Sequence, residues 1–258
     1  MTPVALTIAG SDPSGGAGLQ ADLKTFHRFG VFGEAVVTVI TVQNTQTLAR
    51  VEVLSPDLVR DQILAVTSDI PPGAAKTGAL GNRGVVEAVA DVAAEFGFPL
   101  VVDPVFLSTG GTPLLDEPGR KALAERLLPR AFLLTPNLEE AEALAGFPVN
   151  DLKSMRRAAE VIASLGPRNV LVKGGHLKTE AVDVLMLHSG KVVEFYAARL
   201  ATRNTHGTGC SYAAGITAEL AKGTHLEEAV GRAKRFITQA IRQAPGLGRG
   251  TGPLNHAV

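Results

Sequence analysis

The chain has 258 residues, a length typical of one large α/β domain or of two small ones. Hydrophobic residues make up 45% and charged residues 19%, so the chain can bury a sizeable core and its composition excludes a disordered protein. Its 25 basic and 25 acidic residues leave no surplus positive charge for nucleic acid or an anionic membrane, and its single cysteine excludes an internal disulfide or an all-cysteine metal site.

Short β-branched runs alternate with helical stretches along the chain. Strands are predicted at 4–9, 35–41, 74–77, 100–103, 132–134, 169–173, 182–188 and 192–197, the last two joined as a hairpin. Helices are predicted at 18–29, 55–67, 84–96, 116–128, 138–145 and 152–165, and two more begin at 208 and 226. This alternation predicts a single domain over 1–258, a three-layer αβα fold with a mostly parallel sheet, helices on both faces, and right-handed crossovers.

The helix predicted at 55–67 has the clearest start signal. Ser55 is the expected N-cap and Pro56 the first helical residue, where a missing N–H does no harm. Leu58, Ile63 and Leu64 are the side chains expected to face the core.

The N-terminal segment carries no targeting signal, because residues 1–6 lack a basic region and the apolar run is short. Nowhere does the sequence approach the roughly 20 consecutive apolar residues of a membrane span. We therefore expect a soluble cytoplasmic protein.

Polar residues follow several predicted strands, and in a parallel sheet those strand ends share one edge. A glycine-rich loop at 10–18 follows the first strand, and Gln43 follows the second. Asp103, Asn137 and Lys173 stand at or just beyond the ends of three others. Ligands of such folds bind beyond the carboxyl ends of the strands, so this edge is the predicted site.

The segment 206–215, HGTGCSYAAG, is the most informative part of the sequence. Two glycines open a helix there, and its unpaired N–H groups form a candidate anion site. Cys210 lies at this helix start, where a thiol is easier to ionise, so a phosphate site and a reactive side chain coincide. The alternative interpretation is a helix entry with a buried, inert cysteine.

Three charged residues suit nucleotide chemistry, although each has a simpler interpretation. Asp103 could hold Mg²⁺ through water, or could be a turn residue before a proline. Glu140 opens a helix, where an acidic residue suits the dipole without any metal. Lys173 could neutralise phosphate charge, or could be an exposed strand-end lysine.

Other familiar sites are excluded by spacing. The sequence contains no GxxxxGK[ST] phosphate loop, no GxSxG nucleophile elbow and no HExxH zinc motif. The glycine-rich loop does not fit GxGxxG, and the six histidines have no ligand spacing for zinc.

Taken together, these motifs resemble those of the hydroxymethylpyrimidine/phosphomethylpyrimidine kinases of thiamine biosynthesis. The resemblance runs over nearly the whole chain in family order and is carried by 9–25 (AGSDPSGGAGLQADLKT), 42–45 (VQNT), 103–105 (DPV), 135–137 (TPN), 173–176 (KGGH) and 204–210 (NTHGTGC). It implies a ribokinase-like fold, ATP and Mg²⁺ as co-substrate and cofactor, a pyrimidine alcohol as substrate, and a homodimer.

The resemblance also implies roles for individual residues. The pyrimidine would be bound by Gly10, Asp22, Val42, Gln43 and Leu80. ATP would contact Asn137, Lys173 and Thr208, and Mg²⁺ would be held near Asp103 and Glu140. The catalytic group would comprise Lys173, the anion hole of Gly207, Thr208 and Gly209, and Cys210 as general base.

Two departures from the family pattern and two alternative functions stay open. Ala79 and Leu80 stand where the family is expected to carry bulkier side chains, and the loop 103–111 also varies. A pyridoxal kinase would use similar chemistry, although Asp22 and Gln43 favour a pyrimidine. A catalytically silent pyrimidine-binding protein is the non-enzymatic alternative, against which the set of Asp103, Glu140, Lys173 and Cys210 argues.

Overall fold

The computed structural model describes residues 2–108, 110–175 and 181–258. The strands are β1 Val4–Ser11, β2 Phe32–Gln43, β3 Leu48–Val53, β4 Ala74–Thr77, β5 Leu100–Val102, β6 Leu133–Leu134, β7 Val170–Gly174, β8 Ala181–Met186 and β9 Val192–Ala197. The α-helices are α1 Gly18–Arg28, α2 Pro56–Asp69, α3 Arg83–Ala93, α4 Glu117–Ala122, α5 Leu138–Ala145, α6 Leu152–Ala163, α7 Thr208–Ala221 and α8 Leu226–Arg242.

The described strands form one sheet in the order β3-β2-β1-β4-β5-β6-β7-β8-β9. The six central strands, in the order β2-β1-β4-β5-β6-β7, pair in parallel. Strand β3 pairs antiparallel with β2 at one edge, and β8 and β9 pair antiparallel at the other. The predicted mostly parallel sheet with a terminal hairpin is confirmed. Strand β3 was not predicted, because its polar edge-strand sequence LARVEV has too little apolar character.

Helices cover both faces of the sheet, as predicted. Successive residues of each strand point to opposite faces, so Val102 joins one apolar core while Val101 joins another. The first core packs against α2, α3, α5 and α6, and the second packs against α7 and α8. A smaller third core, which includes Phe26, holds α1 against α7.

Helix α2 begins as predicted, but its inward face was predicted wrongly in part. Ser55 caps the helix by accepting a hydrogen bond from the Leu58 N–H, and Pro56 is its first residue. Ile63 is buried, whereas Leu58 and Leu64 are each 49% exposed. The buried stripe is narrower than expected because only Val59 and Ile63 of this helix reach the core fully.

The helix predicted at 116–128 is divided into three parts. Helix α4 ends at Ala122, a π-helical turn covers Leu123–Leu127, and a 3-10 turn covers Leu128–Arg130. Pro129 lacks a backbone N–H and therefore fits the end of this segment.

Among the described residues, no helix is long and apolar enough to cross a membrane.

Candidate active site

A cavity of about 660 Å³ lies at the carboxyl ends of the parallel strands, beside the N-terminus of α7. The structure brings ten predicted site residues to its wall, although they are spread over 200 positions of sequence. These residues are Gly10, Gln43, Asp103, Asn137, Glu140, Lys173, Gly207, Thr208, Gly209 and Cys210.

Three predicted substrate-binding residues are not among the described residues that line the cavity. Val42 points outward and is 56% exposed, and Leu80 is buried in the core under α3. Asp22 is fully buried and forms an ion pair with Lys76 at 2.7 Å, where it also accepts a hydrogen bond from Thr7 at 2.6 Å. His176, part of a motif used in the resemblance, lies outside the described residues.

The start of α7 has a backbone that requires glycine. Gly207 has φ +80°, and a Cβ atom there would lie 1.8 Å from the carbonyl oxygen of Gly16. A Cβ atom at Gly209 would lie 3.3 Å from Lys173 Nζ and 3.7 Å from Asp103 Oδ2. The start of α7 therefore lies next to a lysine and a carboxylate.

Asp12 joins the glycine-rich loop to the segment before α7, a role the sequence did not reveal. Its carboxylate accepts hydrogen bonds from the N–H groups of Ser14 and Ala17, each at 2.9 Å, and contacts His206 Nε2 at 2.8 Å. Burial works to raise the pKa of Asp12, but the bonds from His206 and Ser14 outweigh it and hold that pKa below its usual value. The Asp-Pro-Ser-Gly turn signal was visible in the sequence, whereas the partner 194 residues away was not.

Lys173 and Asp103 form the charged centre of the cavity. Lys173 Nζ lies 2.6 Å from Asp103 Oδ1, which also accepts a hydrogen bond from the Thr135 hydroxyl at 2.9 Å. Burial works to lower the pKa of Lys173, but the carboxylates of Asp103 and Glu140 outweigh it and raise that pKa. The ammonium group is therefore charged at neutral pH and can meet a phosphate.

Glu140 is held at the start of α5 by a reciprocal cap. Its carboxylate accepts from the Asn137 N–H at 2.8 Å, and the Asn137 side chain accepts from the Glu140 N–H at 2.9 Å. Burial raises the pKa of Glu140 to about 7, despite the opposing charge of Lys173. Burial disfavours the ionised form of this carboxyl group, and a nearby cation would stabilise that form.

The expectation of an ionised thiolate is wrong for Cys210 in this structure. The surrounding protein raises the pKa of its thiol to about 11, mainly by desolvation and then by the charge of Asp22, with Lys76 acting in the opposite sense. With that pKa, the thiol is protonated at neutral pH. Cys210 nevertheless lines the cavity.

The comparison with known families decides the relationship. The model described as "Phosphomethylpyrimidine kinase" matches residues 12–255. The chain belongs to the phosphomethylpyrimidine kinase family. A curated relative from Haemophilus influenzae, named hydroxymethylpyrimidine/phosphomethylpyrimidine kinase, is 44% identical over 97% of this chain and 95% of its own length.

Two further relatives show the range of this kinase family. The thiamine biosynthesis bifunctional protein ThiED of Geobacter sulfurreducens is 47% identical over 98% of the chain, and the chain spans about half, 52%, of that protein. A pyridoxal kinase from Staphylococcus aureus, solved with AMP-PCP and pyridoxal, has a TM-score of 0.90 at 34% identity, covering 100% of this chain and 94% of that one. The family fold is therefore shared by kinases with two different substrate names.

The far end of the same kinase cavity carries a second charged pair that sequence reasoning did not single out. Lys234 Nζ lies 2.6 Å from Asp183 Oδ2, and Asp183 Oδ1 accepts from the Gly174 N–H at 3.0 Å. Since Gly174 follows Lys173, this pair fixes the end of β7 that carries Lys173. Apolar side chains of α8, Ile237 and Ile241, line the cavity beside it.

Proposed function

We propose that this protein transfers a phosphoryl group from ATP to 4-amino-5-hydroxymethyl-2-methylpyrimidine and then to its monophosphate, in thiamine biosynthesis. The observation that carries this proposal is the Lys173–Asp103 pair beside the glycine start of α7, in one cavity with Cys210. The family membership of the chain supports it. An assay of ATP consumption with the alcohol and with its monophosphate tests each step separately.

The protein's own residues supply most of what phosphoryl transfer needs. The transition state is loose, so positioning and charge neutralisation dominate and a strong base contributes less. The N–H groups of Gly207 and Gly209 stabilise the oxygens of the transferring group, and Lys173 neutralises their charge, whereas the Thr208 N–H already donates to the Thr205 carbonyl at 3.2 Å. Cys210 lines the same cavity and orients the accepting hydroxyl.

Cys210 removes the hydroxyl proton only as a thiolate. With a pKa of about 11, roughly one thiol in ten thousand is ionised at pH 7. We therefore assign it an orienting role at neutral pH and a general-base role that increases with pH.

The donor set near Asp103 and Glu140 fits Mg²⁺. Both are carboxylates, the raised pKa of Glu140 favours a neighbouring cation, and Mg²⁺ usually binds through one or two carboxylates, waters and phosphate oxygens. The described residues contain no group of three or more ligating side chains, so most ligands would come from water and ATP. Mg²⁺ bound there supplies positive charge that offsets the phosphate charge during transfer.

For the pyrimidine, we propose direct contact with Gly10 and Gln43. Gln43 lines the cavity and offers both a donor and an acceptor to an aminopyrimidine edge. Asp22 and Leu80 would act from behind the wall, because Asp22 is already bound to Lys76 and Leu80 is in the core, whereas Val42 is exposed on the outer side of β2. Asn137 and Thr208 are assigned to ATP.

A second candidate function is the phosphorylation of pyridoxal. It is favoured by the likeness to the pyridoxal kinase of Staphylococcus aureus, 94% of which superimposes on this chain. Turnover of ATP with each alcohol, compared as kcat/KM, separates the two candidates. Preference for the pyrimidine by tenfold or more supports the first, and the reverse preference supports the second.

We also propose that residues 1–258 act as one kinase domain, in the cytoplasm, as a homodimer. One sheet and one cavity at its strand ends support the single domain. Ile40 and Val42 on β2 are 49% and 56% exposed next to the edge strand β3, an apolar surface that a second copy would cover. Analytical ultracentrifugation of the wild-type chain and of I40E tests the dimer.

A further inference from the structure

Arg120 lines the kinase cavity from α4 and has no role in the function described above. Its guanidinium carbon lies 4.9 Å from the centroid of the Phe106 ring, and the side chain is partly buried. The Nε atom is fully buried and has no hydrogen-bond partner. Burying a guanidinium N–H group without a hydrogen-bond acceptor costs free energy. A ligand that supplies an acceptor to Arg120 would remove that cost.

Two lysines on the cavity wall already form ion pairs with carboxylates. Lys173 contacts Asp103 and Lys234 contacts Asp183, in both cases at 2.6 Å. Arg120, by contrast, forms no ion pair with any carboxylate in the described part of the chain. Its charge is therefore directed at the cavity without an internal counterion.

The local structure holds Arg120 in place. Asp116 caps α4 by accepting from the Gly119 N–H at 2.7 Å, and a Cβ atom at Gly119 would lie 2.6 Å from Leu115 Cδ1. Phe106, which stacks on the guanidinium, is 5% exposed, and its carbonyl accepts from the Leu114 N–H. A π-helical turn begins at Leu123, directly after α4, and such turns are frequent at functional sites.

We propose that Arg120 binds a phosphate group of a ligand in this cavity. A stacked, planar guanidinium with free N–H groups is the side chain best suited to bidentate contact with phosphate. The inference rests on the proposed kinase function, which supplies two sources of that group: the polyphosphate of the nucleotide and the phosphate of the monophosphate substrate.

The test compares R120M and R120K with R157M. Arg157 stacks on Phe147 at 4.8 Å but is exposed and is not among the cavity-lining residues, so it controls for loss of a cation–π contact. Calorimetry measures binding of Mg²⁺–AMP-PCP, of the pyrimidine monophosphate, of the unphosphorylated alcohol and of pyrophosphate. Hydrogen bonds to a charged group predict about a 10- to 100-fold weaker Kd for R120M with at least one phosphate-bearing ligand.

The outcomes are distinct. Weaker binding of the nucleotide alone assigns Arg120 to the polyphosphate, and weaker binding of the monophosphate alone assigns it to the substrate phosphate. In both cases R120M binds the alcohol with the wild-type Kd, and R157M binds every ligand with the wild-type Kd. R120K retains part of the affinity for the phosphate-bearing ligand. The inference is overturned if R120M binds every phosphate-bearing ligand like the wild type, or loses affinity for the alcohol equally. Failure of the wild type to bind any nucleotide rejects the kinase function instead, and pyrophosphate then still tests Arg120.

Discussion

At the scale of single residues, we assign substrate binding and proton transfer to different side chains of the cavity wall. Gln43 lies at the end of β2, where its Oε1 accepts a hydrogen bond from Thr41 at 3.3 Å, and its amide remains available to a ligand. Cys210 lies at the start of α7, beside Gly207 and Gly209, which we propose as an anion hole. Substitutions of these two residues should therefore change different measured quantities.

We expect Q43A to weaken binding of the pyrimidine by about 10- to 100-fold, because a lost hydrogen bond leaves a buried ligand group unpaired at about 1–3 kcal/mol. Binding of Mg²⁺–ATP should not change. Calorimetry with each ligand measures both. Gln46, exposed three residues later, provides the matched control Q46A. A pyrimidine Kd unaltered in Q43A contradicts the assignment and favours the pyridoxal alternative.

For Cys210, the raised pKa predicts an effect that grows with pH. We expect the ratio of kcat between wild type and C210A to rise about tenfold per pH unit from pH 7 towards the pKa of about 11, because only the thiolate accepts a proton. The carboxylate of C210D accepts a proton at neutral pH, so C210D should have a higher kcat than C210A at pH 7. A ratio independent of pH would leave Cys210 with an orienting role only.

In the free protein, the same pKa makes Cys210 slow to react with iodoacetamide at pH 7. Its labelling rate should rise about tenfold per pH unit in the alkaline range, since the thiolate is the nucleophile. Mass spectrometry of the single cysteine measures that rate. Rapid labelling at pH 7 contradicts a protonated thiol.

At the scale of secondary-structure elements, two glycines flank α7, one at each end. They share a backbone conformation but have different surroundings. Gly207 at its start has φ +80° and Gly223 beyond its end has φ +81°. A Cβ atom at Gly207 would overlap the Gly16 carbonyl oxygen, whereas one at Gly223 has no heavy atom within 4 Å. The pair separates the effect of backbone strain from the effect of displacing the anion-hole loop.

We expect G207A to lower kcat by at least about 100-fold, because the anion-hole N–H groups must shift to relieve the contact with Gly16. G223A should cost about 1 kcal/mol of stability, the usual strain of a non-glycine residue in this conformation, and retain kcat. Urea unfolding and steady-state kinetics on both variants measure these effects. Equal loss of activity in the two variants would indicate general destabilisation of α7.

The elements themselves were largely predictable from the sequence, and so was the edge that carries the site. Apolar runs with strand or helix periodicity gave β1, β4 and α5 nearly to the residue, and parallel topology places the polar strand ends together. Strand β3 was missed because an edge strand buries little. Contacts between distant positions, such as Asp12 with His206, depend on packing that periodicity does not encode.

At the scale of the whole molecule, the least predictable feature is the ion pair of Asp22 and Lys76 in the centre of the fold. It joins α1 to β4 across 54 residues, and both side chains are 0% exposed. Burial works to lower the pKa of Lys76, but the nearby acidic groups, chiefly Asp22, together outweigh it and raise that pKa. Asp22 was predicted from the sequence to bind substrate; in the structure its Oδ2 contacts Lys76 and Thr7, whereas its Oδ1 is buried without a hydrogen-bond partner.

We expect K76M to lower the free energy of unfolding by about 3–5 kcal/mol, because it leaves the Asp22 carboxylate buried without its counterion. The double variant D22L/K76M should recover most of that loss, since no unpaired charge remains in the core. Urea unfolding at pH 7 measures both values. The exposed pair of Arg126 and Asp91, also at 2.6 Å, provides the control R126M, which should change stability by less than about 1 kcal/mol.

The same two variants distinguish a structural from a substrate-binding Asp22. If the ion pair stabilises the fold, D22L/K76M unfolds at nearly wild-type denaturant concentration and binds the pyrimidine within about threefold of the wild type, a difference below 1 kcal/mol. A double variant as unstable as K76M contradicts the ion-pair account. A stable double variant that no longer binds the pyrimidine would instead place Asp22 in contact with the substrate, which requires it to leave Lys76 when the ligand enters.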